Sequence, residues 1–335
     1  MKILVILLLL LPFAVMAEGE GVKWLSIEEA DQLNRETPKP IIIDFYTDWC
    51  GWCKHMDKTT YMDQTVIALI NRHFYPVKIN AESKDTLHFK DKIYAPIKNG
   101  SKYISSLAVE MLGGKLSYPS TAFLYDKENI KMVAPGYLDV IKMQAFLIFF
   151  TENVYSNVSI NEFIEDFEQV FKPEEGVDKS KEPETYWTAF SELDKKREKQ
   201  ARKILLYLSA PWSNTSKMMN RVVFPDSTFA EVAREHFYCL HLEAQSQENI
   251  LFMGHSFANA GKENSNLHQL AIALSDKILR VPSIYLFDEE GKLIERLFYY
   301  QGKKNAAMIL EYIGSNIYKS MSWSDFMKVK GIEGF

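Results

Sequence analysis

The chain has 335 residues, 47% of them hydrophobic and 25% charged, which is enough for one large or two ordinary globular domains with a sizeable core. Its formal net charge is −5 and it contains no basic block, which excludes the electrostatic footprint of a nucleic-acid-binding protein. A content of 17 Tyr and 21 Phe excludes a largely disordered chain.

Residues 1–17 have the pattern of a secretory signal peptide. Lys2 precedes an unbroken apolar run at 3–11, and Val15 and Ala17 place small residues at the −3 and −1 positions of a cut after Ala17. The alternative is an uncleaved anchor, but an apolar stretch of roughly 15 residues is shorter than the ~20 that a spanning helix needs. We therefore predict a cleaved signal peptide and a periplasmic or secreted protein.

Helices and strands then alternate along the chain. The first helix begins after Ser26, a suitable N-cap residue. The later elements are a β-branched strand at 41–46, helices after residue 50 and at 65–73, a strand at 75–80, an insertion at 83–116 with a tight turn at 99–100 and a helix at 107–112, strands at 121–125 and 130–133, and a long helix at 140–155. This alternation predicts an α/β fold with a central mixed β-sheet flanked by helices.

The strand at 41–46 leads into Trp-Cys-Gly-Trp-Cys-Lys at 49–54. A cysteine at the start of a helix meets unpaired amide groups and the positive end of the helix dipole, and both favour the thiolate. Cys50 is therefore the predicted nucleophile towards a substrate disulfide, and Cys53 resolves the mixed disulfide.

A static structural disulfide and half of a metal site are the alternatives for this pair. So short a loop gains little from closure, which argues against a structural role. The sequence has no second CxxC and no histidine pair to supply further zinc ligands. We predict neither a metal site nor a cofactor.

The chain repeats itself at one constant offset, the repeat offset, which relates position 50 to position 213. Trp-Ser-Asn-Thr-Ser-Lys at 212–217 follows an apolar run as 49–54 does, but serine replaces both cysteines. The same offset relates Trp24 and Trp187, Met56 and Met219, His73 and His236, Phe89 and Phe252, Pro119 and Pro282, and Asn153 and Asn316. One register held over about 140 positions predicts two tandem copies of one domain, the first copy at 24–167 and the second copy at 187–330.

The segment between the copies is charged, has a proline at each end and lacks apolar periodicity, so we predict a linker at 173–183. The predicted organisation is a signal peptide at 1–17, an active domain at 18–172, the linker, and a redox-inactive domain at 184–335. The third cysteine, Cys239, lies in an apolar strand-like run and is predicted to be a buried, inert thiol.

The first copy resembles the thioredoxin superfamily, and in particular the exported bacterial thioredoxin-like proteins related to the C-terminal domain of DsbD. Three features carry the resemblance: Trp-Cys-Gly-x-Cys-Lys at 49–54, an acid (Asp44) six positions before Cys50, and Pro119 before the third strand. The resemblance extends over both copies and implies two tandem thioredoxin-like domains. Trp52 stands where thioredoxin has proline, and the second copy lacks the cysteines.

The resemblance implies roles for residues around the cysteines. Asp44 would exchange protons with Cys53 from a raised pKa. The alternatives are that strand alternation turns it outward or that it pairs with a lysine. Its counterpart in the second copy is Tyr207, so the acid and the thiols are lost together. Pro119 would be cis, and Tyr118 would offer backbone groups to an extended substrate segment.

The predicted substrate-binding residues are Trp49, Gly51, Trp52, Tyr118 and Pro119. The two tryptophans contact a partner protein or, alternatively, pack in the core. The neighbouring histidine at position 55 is predicted to be an ordinary polar helix residue.

The second copy keeps the scaffold without the thiols. Ser213 and Ser216 cannot exchange disulfides, but either can cap the following helix. Because Pro282 is kept, a substrate-holding groove is an expectation for this copy.

These features predict an exported protein disulfide oxidoreductase that reduces disulfide-containing protein substrates through Cys50 and Cys53. The alternatives are an oxidase or isomerase of the same fold, and a binding or chaperone-like protein that acts through the second copy. An exported reductase needs electrons from across the membrane, so its compartment implies a membrane electron donor of the DsbD or CcdA type. We predict no nucleic-acid partner and no membrane span after signal cleavage.

Overall fold

The computed structural model describes residues 21–172, 186–276 and 278–331. The predicted signal peptide (1–17) and linker (173–183) lie outside the described residues. The contacts divide the chain into two compact units, one ending at Asp139 and the other beginning at Val140. We call them the N-terminal unit and the C-terminal unit.

The N-terminal unit has four helices and eight strands among its described residues. The helices are α1 (Ile27–Glu36), α2 (Gly51–Lys58), α3 (Gln64–His73) and α4 (Ser106–Met111). The strands are β1 (Ile41–Tyr46), β2 (Tyr75–Asn80), β3 (Leu87–Phe89), β4 (Lys92–Tyr94), β5 (Ile97–Asn99), β6 (Lys102–Ile104), β7 (Ser120–Tyr125) and β8 (Ile130–Pro135). The predicted strands at 41–46 and 75–80 are confirmed with their bounds.

Four of these strands form one mixed sheet in the order β2-β1-β7-β8. β1 runs parallel to β2 and antiparallel to β7 and pairs Asp44 with Lys78 on one side and Thr121 on the other. Residues 41–45 of β1 are all buried, as expected for a central strand covered on both faces. The predicted mixed sheet flanked by helices is confirmed, and β1 delivers the chain into the cysteine turn at its centre.

The predicted insertion at 83–116 folds into two short hairpins, β3–β4 and β5–β6, followed by α4. The predicted tight turn joins β5 to β6, and Gly100 has a φ of 62° there, a conformation that glycine adopts without steric cost. The insertion therefore adds ordered structure beside the sheet.

After two additional helices, the C-terminal unit repeats this order of elements, but its described residues contain no counterpart of the β5–β6 hairpin, and two further helices follow its last strand. Its helices are α5 (Val140–Thr151), α6 (Ile160–Phe171), α7 (Phe190–Lys199), α8 (Asn214–Met218), α9 (Ser227–His236), α10 (Gln269–Leu274), α11 (Lys303–Gly314) and α12 (Trp323–Val329). Its strands are β9 (Lys203–Ser209), β10 (Phe237–Glu243), β11 (Ile250–Phe252), β12 (His255–Phe257), β13 (Ser283–Phe287) and β14 (Leu293–Phe298). A π-helical turn at Met219–Val223 continues α8.

The second sheet has the order β10-β9-β13-β14, with one parallel and two antiparallel pairings as in the first. Several elements recur with both bounds shifted by the repeat offset, for example α4 and α10, β3 and β11, and β8 and β14. The peptide bonds Tyr118–Pro119 and Val281–Pro282, which the same offset relates, are both cis. The expected fold is therefore present twice.

The predicted long helix at 140–155 is shorter than expected. α5 ends at Thr151, because Asn153 takes a left-handed conformation with a φ of 54° that a helix cannot continue through. The helix is apolar around its circumference and buried from Ala145 to Phe150, as is usual for a helix in a protein interior. Within the described parts of the chain, no helix combines the length and hydropathy needed to cross a membrane.

We predict that Ser26→Ala lowers the free energy of unfolding by about 1 kcal/mol, because the start of α1 loses a hydrogen-bond acceptor. The Ser26 hydroxyl accepts a 3.1 Å hydrogen bond from the Glu29 amide, and the Glu29 carboxylate accepts one of 2.8 Å from the Ser26 amide. Urea unfolding followed by circular dichroism measures the change. Ser26→Asp keeps an acceptor and is the matched control; equal losses in both variants would rule out capping as the cause.

Candidate active site

Cys50 and Cys53 form a disulfide at the start of α2. Cys50 is the N-cap of this helix, and its Sγ accepts a 3.0 Å hydrogen bond from the Cys53 amide. An amide directed at this sulfur also stabilises a thiolate once the disulfide is reduced. The local geometry therefore suits a nucleophilic Cys50, while Gly51, the first residue of the helix, is exposed.

The side chain of Asp44 is only 3% exposed, so the strand does not turn it outward. Its Oδ2 lies 3.7 Å from the Lys78 Nζ, and its Oδ1 has no hydrogen-bond partner among the residues that the structure describes. Burial raises the pKa of Asp44 to about 7, and the nearby Lys78 ammonium offsets this only in part. A carboxyl group that titrates near neutral pH is suited to exchange protons with a reacting thiol.

Lys78 and Asp57 are charged residues that the sequence analysis did not single out. The Lys78 ammonium donates a hydrogen bond to the Asp57 carboxylate on α2. It also lies 5.4 Å from the ring centre of Trp24, 5.2 Å from that of Tyr46 and 5.8 Å from that of Tyr61. Buried Asp44 therefore shares its cation with a more exposed acid, and aromatic rings hold that cation in place.

A comparison of the two copies at the repeat offset could have identified Lys78 and Asp57, because neither residue is kept in the second copy. At the repeat offset, Asn220 replaces Asp57 and His241 replaces Lys78. Burial lowers the pKa of His241 to about 4, so its ring is neutral at pH 7. It stacks on Tyr207, the counterpart of Asp44, with 4.9 Å between ring centres. The second copy has thus lost the charged groups together with the thiols.

Trp49 is exposed beside the disulfide, so it does not pack in the core. Its Nε1 donates a 3.0 Å hydrogen bond to Glu82, and the Lys102 ammonium lies 5.7 Å from its ring centre and 3.1 Å from the same carboxylate. Lys102 begins β6, so the second hairpin of the insertion helps to fix this ring. The Tyr118 ring meets Trp49 edge-on at 6.3 Å, which brings two predicted substrate-binding residues together.

Trp52 is 62% exposed and belongs to a second aromatic group. Its ring centre lies 5.6 Å from that of His55 and 5.4 Å from that of Tyr137. The Tyr137 hydroxyl is 3.2 Å from the Thr59 Oγ1, so Tyr137 is fixed by a polar contact at its hydroxyl as well as by the contact of its ring with Trp52. No sequence pattern identifies Tyr137, because it is far from the cysteines in the chain. Exposed aromatic surface of this kind is typical of a protein contact.

The peptide bond before Pro119 is cis, as the resemblance implied. Pro119 is buried and its carbonyl accepts a 2.8 Å hydrogen bond from the Gly136 amide. Tyr118 is partly buried, and burial raises the pKa of its hydroxyl.

The second copy builds the same turn with hydroxyl groups. Ser213 is the N-cap of α8, and its Oγ accepts a 3.0 Å hydrogen bond from the Ser216 amide, which confirms the predicted cap. The Tyr207 hydroxyl donates to the Ser216 carbonyl at 3.2 Å.

Cys239 is a free cysteine, buried as predicted, and burial raises the pKa of its thiol. In the ranges that the structure describes, no group of three or more His, Cys, Asp or Glu side chains is arranged to hold a metal ion.

Family comparisons match both copies. Residues 11–147 match the DsbH-type thioredoxin family, described as a protein of unknown function, DUF255. Residues 187–288 match a family described as thioredoxin-like. The chain belongs to the thioredoxin superfamily.

This thioredoxin-superfamily chain is related to the thiol:disulfide interchange protein DsbD. It is 36% identical to that of Vibrio vulnificus over 62 residues, which are 18% of this chain and 10% of the relative. It is 39% identical to that of Ralstonia nicotianae over 44 residues, 13% of this chain and 7% of the relative. The matches therefore span a tenth or less of the length of these relatives.

The solved structures that this chain matches include a domain of DsbD and a DsbH protein. The reduced C-terminal domain of DsbD from Neisseria meningitidis has 17% identity and a TM-score of 0.25, covering 38% of this chain and 91% of that domain. A DsbH oxidoreductase has 16% identity and a TM-score of 0.29, covering 45% of this chain and 96% of that one.

We predict that Asp44 makes stability fall as pH rises through neutrality. The folded-state pKa of about 7 lies above the unfolded value, so between the two values the folded chain keeps a proton that the unfolded chain has lost. The free energy of unfolding should therefore drop by roughly 4 kcal/mol between pH 4 and pH 8. In Asp44→Asn, which carries no such proton, this component should disappear.

Urea unfolding of the oxidised proteins across this pH range measures the effect. Asp48→Asn, which alters an exposed acid beside the cysteine turn, is the matched control and should keep the wild-type profile. A wild-type profile in Asp44→Asn would show that another group is responsible.

Proposed function

We propose that the chain is an exported protein disulfide reductase in which Cys50 and Cys53 alternate between dithiol and disulfide. The observation that carries this proposal is the disulfide at the start of α2, with the Cys50 Sγ accepting the Cys53 amide. The relationship to thiol:disulfide interchange proteins supports thiol–disulfide exchange as the class of reaction.

In the proposed reaction, the Cys50 thiolate attacks one sulfur of a substrate disulfide and expels the other as a thiolate. Cys53 then loses its proton and attacks the Cys50 Sγ, which releases the reduced substrate and leaves the Cys50–Cys53 disulfide. Asp44 is the proposed acceptor of that proton, because its pKa of about 7 allows it to take up and return a proton near neutral pH. Two electrons from an external dithiol reduce the Cys50–Cys53 disulfide, and the return of the proton from Asp44 to Cys53 restores the starting state.

The proposed substrate surface consists of Trp49, Gly51, Trp52, Tyr118 and Pro119. The two exposed indole rings offer apolar contact near Gly51, and beyond its own chain neighbours and helix backbone no described atom lies within 4 Å of the place that a Cβ of Gly51 would take. In this proposal an extended substrate segment approaches the reduced Cys50 through this space and binds beside the cis-proline, as the resemblance implies.

Reduction is the proposed direction because Cys-Gly-x-Cys with an upstream acid resembles the pattern of thioredoxin more than that of DsbA. Thioredoxin has a reduction potential of about −270 mV, whereas the oxidant DsbA has one of about −120 mV. Equilibration of Cys50 and Cys53 with glutathione buffers measures the potential of this chain. A value above about −180 mV, the range of disulfide isomerase, would overturn the reductase assignment and favour an isomerase or oxidase.

The proposed organisation is a signal peptide at 1–17 that is cut after Ala17, an active domain at 18–172, a linker at 173–183 and a redox-inactive domain at 184–335. The repeat assigns α5 and α6 to the first domain, because the repeat offset relates their first residues to those of α11 and α12. The protein would act in the periplasm or outside the cell and receive electrons from a membrane donor of the DsbD or CcdA type.

We predict that Cys50→Ala abolishes the reduction of insulin disulfides in the presence of a strong thiol reductant, because the attacking thiolate is lost. Cys53→Ala should instead accumulate mixed disulfides with substrates on Cys50, visible on non-reducing gels and released by dithiothreitol. Cys239→Ala removes the buried thiol, is the matched control and should retain full activity. If Cys50→Ala and wild type are equally inactive, the enzyme assignment fails.

We predict that Trp49→Ala lowers kcat/KM for a protein substrate by about tenfold, the effect of removing one exposed aromatic contact worth about 1–2 kcal/mol. A small disulfide without a polypeptide should be reduced at an unchanged rate. Trp212→Ala alters the counterpart in the second copy, which is also exposed, and is the matched control. An equal loss with both substrates would assign Trp49 to the structure of the turn and not to docking.

A further inference from the structure

A carboxylate occupies the turn of the second copy that corresponds to the cysteine turn. Glu152, which follows α5 in the C-terminal unit, accepts hydrogen bonds at Oε2 from the Ser213 hydroxyl at 2.9 Å and from the Thr215 amide at 3.0 Å. The Thr215 hydroxyl donates to the same oxygen, and the Asn214 amide donates to Oε1 at 3.1 Å. Four donors thus converge on one side chain.

The position of this carboxylate has a chemical meaning. Ser213 is the counterpart of Cys50, so Glu152 binds the group that stands where the nucleophilic sulfur stands in the first copy. A serine hydroxyl can donate to a carboxylate, whereas a thiolate at that position would repel it. The counterpart of Glu152 at the repeat offset is Ser315, a neutral residue. The acid is therefore compatible with a redox-dead turn and not with a reactive one.

The same segment covers the loop after β14. The Asn157 side-chain amide donates to the carbonyl of Phe298 at 2.8 Å and to that of Tyr300 at 3.2 Å. The Tyr300 hydroxyl donates to Asp166 on α6 at 2.8 Å, and the Lys303 ammonium lies 3.3 Å from that carboxylate. The contacts extend from the turn at one end to the loop at the other, so they form a continuous interface.

Exposure differs between corresponding positions of the two copies. Trp52 is 62% exposed, whereas its counterpart Thr215 is fully buried. Tyr137 is only partly buried, whereas its counterpart Tyr300 is fully buried. In the second copy, these two positions are therefore enclosed, while Trp212, the counterpart of Trp49, stays exposed.

We propose that the segment from Glu152 to Asp166 is a built-in ligand of the second copy and occupies the edge at which a thioredoxin-like domain receives its substrate. The second copy then holds this part of the chain and takes no disulfide substrate there. Charge-assisted hydrogen bonds to a carboxylate are strong, and breaking them leaves the donors unpaired. The substrate-holding groove expected around Pro282 is in this arrangement filled by the protein itself.

The test measures access to the turn in the full chain and is independent of redox activity. Ser213→Cys is introduced as the only cysteine, in a Cys50→Ser/Cys53→Ser/Cys239→Ala background that removes the native thiols, and is labelled with a polyethylene glycol maleimide. We expect slow labelling that accelerates by about tenfold or more when Glu152→Ala is added, since a displaced charge-assisted contact is worth at least about 1.4 kcal/mol. Glu152→Gln keeps the volume and should give an intermediate rate. Glu165→Ala, at an exposed acid on α6, is the matched control and should change nothing.

Amide hydrogen exchange in a chain with native Ser213 provides a second readout if the introduced thiol disturbs folding. The Asn214 and Thr215 amides should exchange about tenfold faster in Glu152→Ala than in wild type or in Glu165→Ala. The proposal is overturned if the introduced thiol reacts as fast as reduced Cys50 while Glu152 is present, or if Glu152→Ala changes neither labelling nor exchange.

Discussion

One backbone hydrogen bond defines the turn on which both copies depend. In the first copy the Cys53 amide donates to the Cys50 Sγ, and in the second the Ser216 amide donates to the Ser213 Oγ, both at 3.0 Å. The first turn of a helix has amides without partners, and a side-chain acceptor at the N-cap satisfies one of them. Sulfur and hydroxyl oxygen both meet this requirement. The fold can therefore lose its thiols and still keep the turn that connects the strand to the helix. The chemistry and the scaffold can thus be separated within one chain.

The two copies differ in whether the side chains near this turn are charged. The first keeps a buried acid, Asp44, next to a cation that is also held by Asp57 and by aromatic rings. The second fills the same space with the stacked rings of Tyr207 and His241. A buried carboxyl without full hydrogen bonding destabilises the fold, whereas stacked neutral rings do not. The first copy thus retains an unfavourable group at its centre, and that group is the one proposed to exchange protons with Cys53.

Local patterns predicted much of the fold and the centre of the site. The strand at 41–46, the cap at Ser26 and the Cys50–Cys53 pair each have a signal within a short stretch of sequence. The partners that tune the site have none, because tertiary folding brings them together over long separations: Glu82 and Lys102 meet at Trp49, and Glu152 meets Ser213. α5 was predicted too long because its apolar pattern continues past Thr151, where the left-handed Asn153 ends the helix.

The burial of Cys239 limits which covalent states the chain can reach. Any two of the three cysteines could pair on paper, and a third accessible thiol would let disulfides shuffle within the molecule. Because Cys239 is enclosed and burial raises the pKa of its thiol, it is a poor partner in exchange. The molecule then has a single internal redox couple, Cys50–Cys53. Its redox titration should therefore follow one two-electron transition. Every mixed disulfide that it forms must be with another molecule.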